Sequence, residues 1–372
     1  MTTEAMSMSF EEYKAALGTS ASRRALLFRD GRPFHVLLSQ QFSRDDLIHL
    51  TDTATSIRRL DRHRDGREFL RGLLRGIRVM NLFAQPSTRT AESFIAAADK
   101  LGATTRLVAD IRTSSFSKGE TVEDSVRTLS SFFDTIVTRH PEDDFAARAA
   151  WGLQRSSRPI PVVSAGSGKS QHVTQSLLDI YTLRYSLQDR GGLDGRTVLL
   201  VGDILRNRAA RSLAYLLTKF DVERVDFVSA KNYLPEDGLI QYIEKHGIKV
   251  GVDDNLESYL KRRGGDVDAI YMTRLQQEWD KGGGQPTAKG EELGTEDAFV
   301  LKSEFRKLVG DDCVLMHPLP RVNELPESWE DHPGFVVWRQ VRNGMWMRAA
   351  LFAAIHGADQ EIRARAERLG LL

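Results

Sequence analysis

The chain of 372 residues is 41% hydrophobic, enough to bury a large core, and its length suggests two domains. Lys+Arg 52 against Asp+Glu 51 leaves a net charge of +1, so no overall basic field points to nucleic acid or an anionic membrane, and any basic site must be local. The single cysteine, Cys313, excludes an intramolecular disulfide framework and a cysteine-rich metal site and fits a reducing cytoplasm, and no apolar run approaches the roughly eighteen residues of a membrane span.

Residues 1–34 read as an N-terminal extension. They show no apolar signal core, and Glu4, Glu11 and Glu12 argue against an acid-poor transit peptide. Ser9-Phe10-Glu11-Glu12 has the form of a capping box opening a short helix through Leu17. Apolar β-branched runs then alternate with helical patterns, the mark of an α/β protein with mostly parallel sheets. Strands are expected at Gly76–Phe83, Thr104–Ala109, Asp134–Arg139 and Ile160–Ala165. A second set falls at Thr197–Gly202, Arg224–Ser229, Ile248–Val252, Ala269–Thr273 and Cys313–His317. Between the sets lie a helix over His172–Leu187 and the polar turn Asp189-Arg190-Gly191-Gly192. Domains are accordingly expected at 35–187 and 188–340, with a last helix from Val341 to His356. Lys281-Gly282-Gly283-Gly284-Gln285-Pro286 reads as a mobile loop.

The most informative stretch is Pro86-Ser87-Thr88-Arg89-Thr90, where a buried strand gives way to the helical pattern Ala91–Leu101. Hydroxyls and amides at a helix N-terminus meet an anion with unpaired N–H donors and the positive end of the dipole. Arg89 adds a planar fork for two phosphate oxygens. The simpler reading is hydroxyl capping, but Thr90 stands three residues after Ser87, where a full capping box has Glu.

Two other motifs fail. Gly166-Ser167-Gly168-Lys169-Ser170 looks like the end of a P-loop, but Val163 occupies the position of the required first glycine. No G-x-G-x-x-G follows Gly202-Asp203, and the nine histidines show no ligand spacing. Neither a nucleotide cofactor nor a catalytic metal is therefore expected.

Cationic and amide side chains gather instead at the C-terminal ends of the expected strands, where open α/β sheets bind ligands. Arg139 and His140 end one strand, and His172 and Gln175 open the helix after another. Arg208 lies past Gly202-Asp203, Arg274 and Gln276 follow Ala269–Thr273, and Pro318-Leu319-Pro320-Arg321 follows Cys313–His317. Each alone reads as a surface charge or a turn. Together they imply substrates rich in phosphate and carboxylate oxygens.

From about Ser39 to Gly357 the chain resembles the aspartate/ornithine carbamoyltransferase family. The resemblance rests on Ser87-Thr88-Arg89-Thr90, Ser117-Lys118-Gly119-Glu120-Thr121, Arg139-His140-Pro141, Gln171-His172-x-Thr174-Gln175, Tyr271-Met272-Thr273-Arg274-x-Gln276 and His317-Pro318-Leu319-Pro320-Arg321, in the family's order. It implies two domains, each a mostly parallel sheet flanked by helices and joined by interdomain helices. The first binds carbamoyl phosphate, the second aspartate, and the C-terminal segment 341–372 packs back on the first. The implied reaction is carbamoyl transfer from carbamoyl phosphate to the α-amine of L-aspartate, in pyrimidine synthesis.

The resemblance also assigns roles. Ser87, Thr88, Arg89 and Thr90 would hold the phosphate, and Thr90, Arg139 and His172 the carbonyl oxygen. Gln175 and the main chain near Pro318 and Leu319 would hold the carbamoyl nitrogen. Aspartate's carboxylates would fall to Arg208, Arg274 and Gln276, with Lys118 reaching both substrates. A homotrimer is implied, its Ser114–Lys118 loop entering a neighbour's site, with regulatory or pathway partners left open.

Ornithine enzymes of the family usually carry Ser-Met-Gly and His-Cys-Leu-Pro segments, which this chain lacks, and Arg274 would repel an ornithine ammonium. Gln85 in place of a common Glu, Val173 in place of a common Pro, and the Gly282–Gly284 segment depart from the family pattern. The alternatives are transfer to another amino acid, and a catalytically silent member serving as a binding subunit.

Overall fold

The computed structural model describes residues 7–109, 119–168, 170–275 and 297–371. The chain forms two compact units, Met1–Leu178 with Arg342–Leu372, and Asp179–Val341.

The first unit is built on the strands β1 (Arg78–Phe83), β2 (Thr104–Val108), β3 (Thr135–His140) and β4 (Val162–Ser167). They are parallel and ordered β2-β1-β3-β4. All of β1 after Arg78 is buried, as a strand covered on both faces must be, whereas the edge strand β2 is largely open. The N-terminal segment belongs to this unit's core. Ser9 and Glu12 close the expected capping box on helix Phe10–Ala16, and Tyr13 and Leu27 are fully buried. Phe10 meets Trp151 edge-on at 5.7 Å, and Lys14 pairs with Asp144 at 2.5 Å, docking the segment on helix Phe145–Gln154.

The second unit carries β5 (Thr197–Val201), β6 (Arg224–Val228), β7 (Lys249–Asp253), β8 (Ala269–Met272) and β9 (Val314–Met316). These too are parallel, in the order β9-β8-β5-β6-β7. Leu199, Val201, Ile270, Met272, Leu315 and Trp329 form the centre of one core cluster. Each strand read from the sequence forms, with ends within two residues of expectation. The helix expected from Val341 starts earlier, at Val337, because Val336 and Val337 are buried and its first turn closes through Gln340 N–H to Val336 O. It is not the last, since Asp359–Arg368 forms a further helix beyond it. Among the described residues no helix is long and apolar enough to cross a membrane. The Lys281–Pro286 segment lies outside the described residues.

In the first unit, His35 is fully buried and accepts the Val162 N–H at Nδ1 (3.1 Å), and burial pushes its pKa down to about 3. His140, His317, His332 and His356 are also pushed down, chiefly by burial. Folded values below the unfolded one mean that the unfolded chain binds more protons, so this stability is complete above about pH 6.5 and is lost on acidification. His35 alone should cost about 2 kcal/mol between pH 6.5 and 5. The urea midpoint should therefore fall from pH 7 to pH 5, and less steeply in His35→Gln, whose amide oxygen can still accept from Val162. An unchanged slope in that variant would exclude His35 as a source.

Candidate active site

The first unit's strand order reverses between β1 and β3, since the chain runs from β1 out to β2 and returns on the other side of β1. Such a reversal opens a crevice at the strands' C-terminal ends. The Ser-Thr-Arg-Thr loop leaves β1 there, beside the end of β3: Phe83 is in register with Arg139, and Gln85 N–H donates to Arg139 O at 3.1 Å. The following helix spans Thr88–Leu101, three residues more than the apolar pattern indicated, so Thr88, Arg89 and Thr90 form its first turn.

Ser87 occupies the N-cap position but makes no cap bond to the backbone. Its hydroxyl donates instead to Thr90 Oγ1 at 2.9 Å. The helix's opening N–H groups, which have no intrahelical acceptor, are thus not covered by their own capping side chain. Thr88 and Arg89 are exposed, Thr90 is buried, and because Thr90 accepts from Ser87 its own O–H remains a donor. Capping by Asn207 in the second unit shows the contrast: its Oδ1 takes the Ala209 and Ala210 N–H groups at 3.0 and 3.1 Å, closing that helix end. The first unit's helix end leaves its N–H groups uncovered by its capping side chain, as an anion-binding helix end requires.

Arg139, at the tip of β3, donates to Ala165 O at 3.0 Å and lies 3.4 Å from His172 Nε2. A guanidinium can only donate, so Nε2 is the accepting nitrogen and the ring proton belongs on Nδ1. His172 is buried, its carbonyl accepts the Gln175 and Ser176 N–H groups, and Gln175 sits in the first turn of helix Val173–Ser186. Arg139 and His172 are therefore in direct contact, with Gln175 one turn away. Val173 is fully buried. At the P-loop look-alike, Asp143 Oδ1 accepts the Ser170 N–H at 2.9 Å and Gly168 N–H donates to His140 O.

The second unit reverses between β5 and β8. There Gly202 and Thr273 pack backbone to backbone, and Thr273 N–H and Oγ1 both donate to Val201 O at 2.8 Å. Arg274 follows directly, and Arg208 opens helix Arg208–Leu217 beyond Gly202-Asp203, so both arginines follow the strands that flank this crevice. The Pro318-Leu319 turn follows β9, the neighbour of β8. Ser114, Lys118, Gln276 and Gly282–Gly284 lie outside the described residues.

Two polar residues named from the sequence, His140 and Arg321, serve the scaffold. His140 stacks on Phe145 at 4.0 Å and accepts the Glu142 N–H, and burial holds its pKa down, so it is a neutral packing group. Arg321 pairs with Glu330 and lies over the Phe335 and Trp338 rings. Sequence reasoning missed a buried network in the second unit. Asp179 accepts from Tyr271 Oη (2.8 Å) and Gln340 Nε2 (2.7 Å), and Gln340 Oε1 accepts the His317 N–H (3.0 Å). The available signal was an aspartate inside the apolar run Leu177-Leu178-Asp179-Ile180. Among the described residues no group of three or more His, Cys, Asp or Glu stands together as a metal site.

Comparison with known proteins bears on this arrangement. Residues 35–185 match the family model described as aspartate/ornithine carbamoyltransferase, carbamoyl-P binding domain, and residues 194–355 its Asp/Orn binding domain. The chain is 34% identical over 355 residues to aspartate carbamoyltransferase 1, chloroplastic, of Pisum sativum, covering 93% of this chain and 86% of that protein. It is 36% identical over 326 residues to the multifunctional protein CAD of Squalus acanthias, covering 87% of this chain but 13% of that protein. Among solved structures, the aspartate transcarbamoylase of Trypanosoma cruzi in complex with N-(phosphonacetyl)-L-aspartic acid superposes with a TM-score of 0.76 at 30% identity, covering 89% of this chain and 99% of that one. The catalytic subunit of M. Jannaschii aspartate transcarbamoylase gives 0.73 at 30% identity, covering 86% and 97%.

Gly202 has φ +110°, and a Cβ there would lie 2.1 Å from Thr273 O. Gly202→Ala should therefore destabilise the second unit by about 3 kcal/mol or more, combining overpacking with backbone strain. Urea unfolding checks this, and wild-type stability in the variant would contradict the close approach.

Proposed function

The chain belongs to the aspartate/ornithine carbamoyltransferase family and is a transferase, and we propose that it is an aspartate carbamoyltransferase, forming N-carbamoyl-L-aspartate and phosphate from carbamoyl phosphate and L-aspartate. The observation that carries this reading is the uncapped helix N-terminus at Ser87–Thr90 beside the Arg139–His172 pair. The cradle suits a phosphate, and the pair suits a carbonyl oxygen that gains charge. Aspartate is the acceptor because Arg208 and Arg274 offer cations to two carboxylates, while an ammonium side chain would be repelled. The related T. cruzi enzyme has been solved in complex with carbamoyl phosphate and aspartate.

The reaction needs neither a protein nucleophile nor a metal. The neutral α-amine attacks the carbamoyl carbon, negative charge builds on the carbonyl oxygen, and the C–O bond to phosphate then breaks. The departing phosphate takes the bonding electron pair and accepts the amine proton. Donors fixed in advance around that oxygen lower the barrier. Thr90, the Arg139 guanidinium and His172 fill that role, His172 as a donor rather than a base. Ser87, Thr88 and Arg89 hold the phosphate. Gln175 and the main chain of Pro318 and Leu319 take the carbamoyl nitrogen. Arg208, Arg274 and Gln276 take aspartate's carboxylates, and Lys118 reaches both substrates.

The product is an early intermediate of pyrimidine synthesis. A cytoplasmic setting agrees with a sole cysteine, Cys313, that is buried and unreactive. The working assembly is a homotrimer in which Ser114 and Lys118 complete a neighbour's site.

Ureido product should form with L-aspartate and not with L-ornithine, and Arg89→Ala should lower kcat/KM by about 10²–10³-fold, as loss of a transition-state donor does. Product with ornithine only, or none with either amine, would reject the assignment. Lys118→Ala and Arg89→Ala proteins, dissociated and reassembled together, should regain part of the wild-type rate, because some sites then draw both intact residues. Inactivity of hybrids verified by mass would reject shared sites.

A further inference from the structure

The turn after β9 is held by an interaction whose outer partner, Glu324, lies outside every motif named above. Leu319 has φ +59°, in the left-handed region that costs a branched residue about 1 kcal/mol or more, so its surroundings must impose the conformation. His317, 1% exposed, does so. Its Nδ1 accepts the Leu319 N–H at 2.8 Å, which places the ring proton on Nε2, and Nε2 lies 2.6 Å from Glu324 Oε1.

Glu324 is itself buried, seven residues beyond His317. Its carboxylate also accepts the Val322 N–H at both oxygens (3.2 Å) and the Asn323 N–H at Oε2 (3.1 Å). Every neighbour of this carboxylate in that set is a donor, so only a group with acceptors on both atoms satisfies them. Burial acts to raise the Glu324 pKa, but the hydrogen bond and charge of His317 and the surrounding N–H groups hold it below its ordinary value. Burial holds His317 below its own, although Glu324 opposes this. The pair is thus a neutral imidazole donating to a carboxylate.

Resting on the reading that Pro318 and Leu319 offer main-chain groups to the carbamoyl nitrogen, we propose that Glu324 is a positioning residue for carbamoyl phosphate, fixing the His317 tautomer that holds the Leu319 turn. The amide nitrogen of carbamoyl phosphate donates, so it needs backbone carbonyls aimed at it. The tautomer decides their aim. With the proton on Nδ1, the ring would oppose the Leu319 N–H donor to donor, and the turn would lose its constraint. A glutamine at 324 invites that exchange: its NH₂ must face either His317 Nε2–H or the Val322 and Asn323 N–H groups, and facing Nε2 favours the wrong tautomer.

Calorimetric binding of carbamoyl phosphate and of inorganic phosphate to the full-length protein tests this, because phosphate reads the Ser87–Thr90 cradle alone. Glu324→Gln should weaken carbamoyl phosphate about tenfold while leaving phosphate within about twofold, the size expected for one buried hydrogen-bonding partner set wrongly. A purely structural role for Glu324 would lower the melting temperature without changing the ratio of the two affinities, and an unchanged ratio overturns the proposal. His317→Asn provides the second variant. An Asn side-chain oxygen can accept the N–H two residues on and has no tautomer to fix, so this variant should keep carbamoyl phosphate affinity within about threefold in the absence of the Glu324 contact. A loss of about tenfold or more there also overturns it. Failure of the proposed function is read separately, as wild-type protein that binds carbamoyl phosphate no better than phosphate.

Discussion

Parallel strand direction is the constraint on which the rest depends. In each of the two larger sheets all strands run the same way, so every loop that follows a strand emerges on one edge, and every crossover is spent returning to the other. Residues far apart in sequence, Ser87, Arg139 and His172 among them, are gathered by direction alone. Strand order then selects a place along that edge. The two reversals, between β1 and β3 and between β5 and β8, are where neighbouring crossovers part and leave room for a ligand. The hydroxyl-rich loop Ser87–Thr90 follows the first, and Arg208 and Arg274 follow strands that flank the second.

Much of this was legible in the sequence because buried parallel strands leave a strong local signal. Runs such as Val198-Leu199-Leu200-Val201 have no polar face to alternate, and their ends fall where charged or glycine residues interrupt them. The hydroxyl-rich loop after β1 was legible for a different reason: its chemistry is local, set by consecutive residues. What could not be read was whether a given side chain faces a ligand or its own scaffold. His140 and Arg321 stand next to proposed site positions, yet stacking on Phe145 and clamping by Glu330 turn them inward. Those partners lie five and nine residues away, and nothing in the spacing announces them.

The buried polar network of the second unit escaped for the same reason on a larger scale. Asp179, Tyr271, Gln340 and His317 come from four separate elements, and each looks ordinary in its own neighbourhood. Their value appears only when they are joined. Such a network, fully satisfied, specifies one arrangement of the strand ends it ties together, whereas an apolar core of equal volume would tolerate several. The second unit thus uses hydrogen bonds to hold the register of its loops and apolar packing to hold its sheet.

Cys313 has a practical consequence. It is the sole cysteine, it is fully enclosed beside the start of β9, and burial drives its thiol far above the ordinary range, so a thiol-reactive dye has nothing to attack while the strand is in place. Each labelling event must then wait for a local opening. The chain therefore carries an intrinsic clock for the breathing of the strand that presents the His317 turn, readable one molecule at a time and without any substitution.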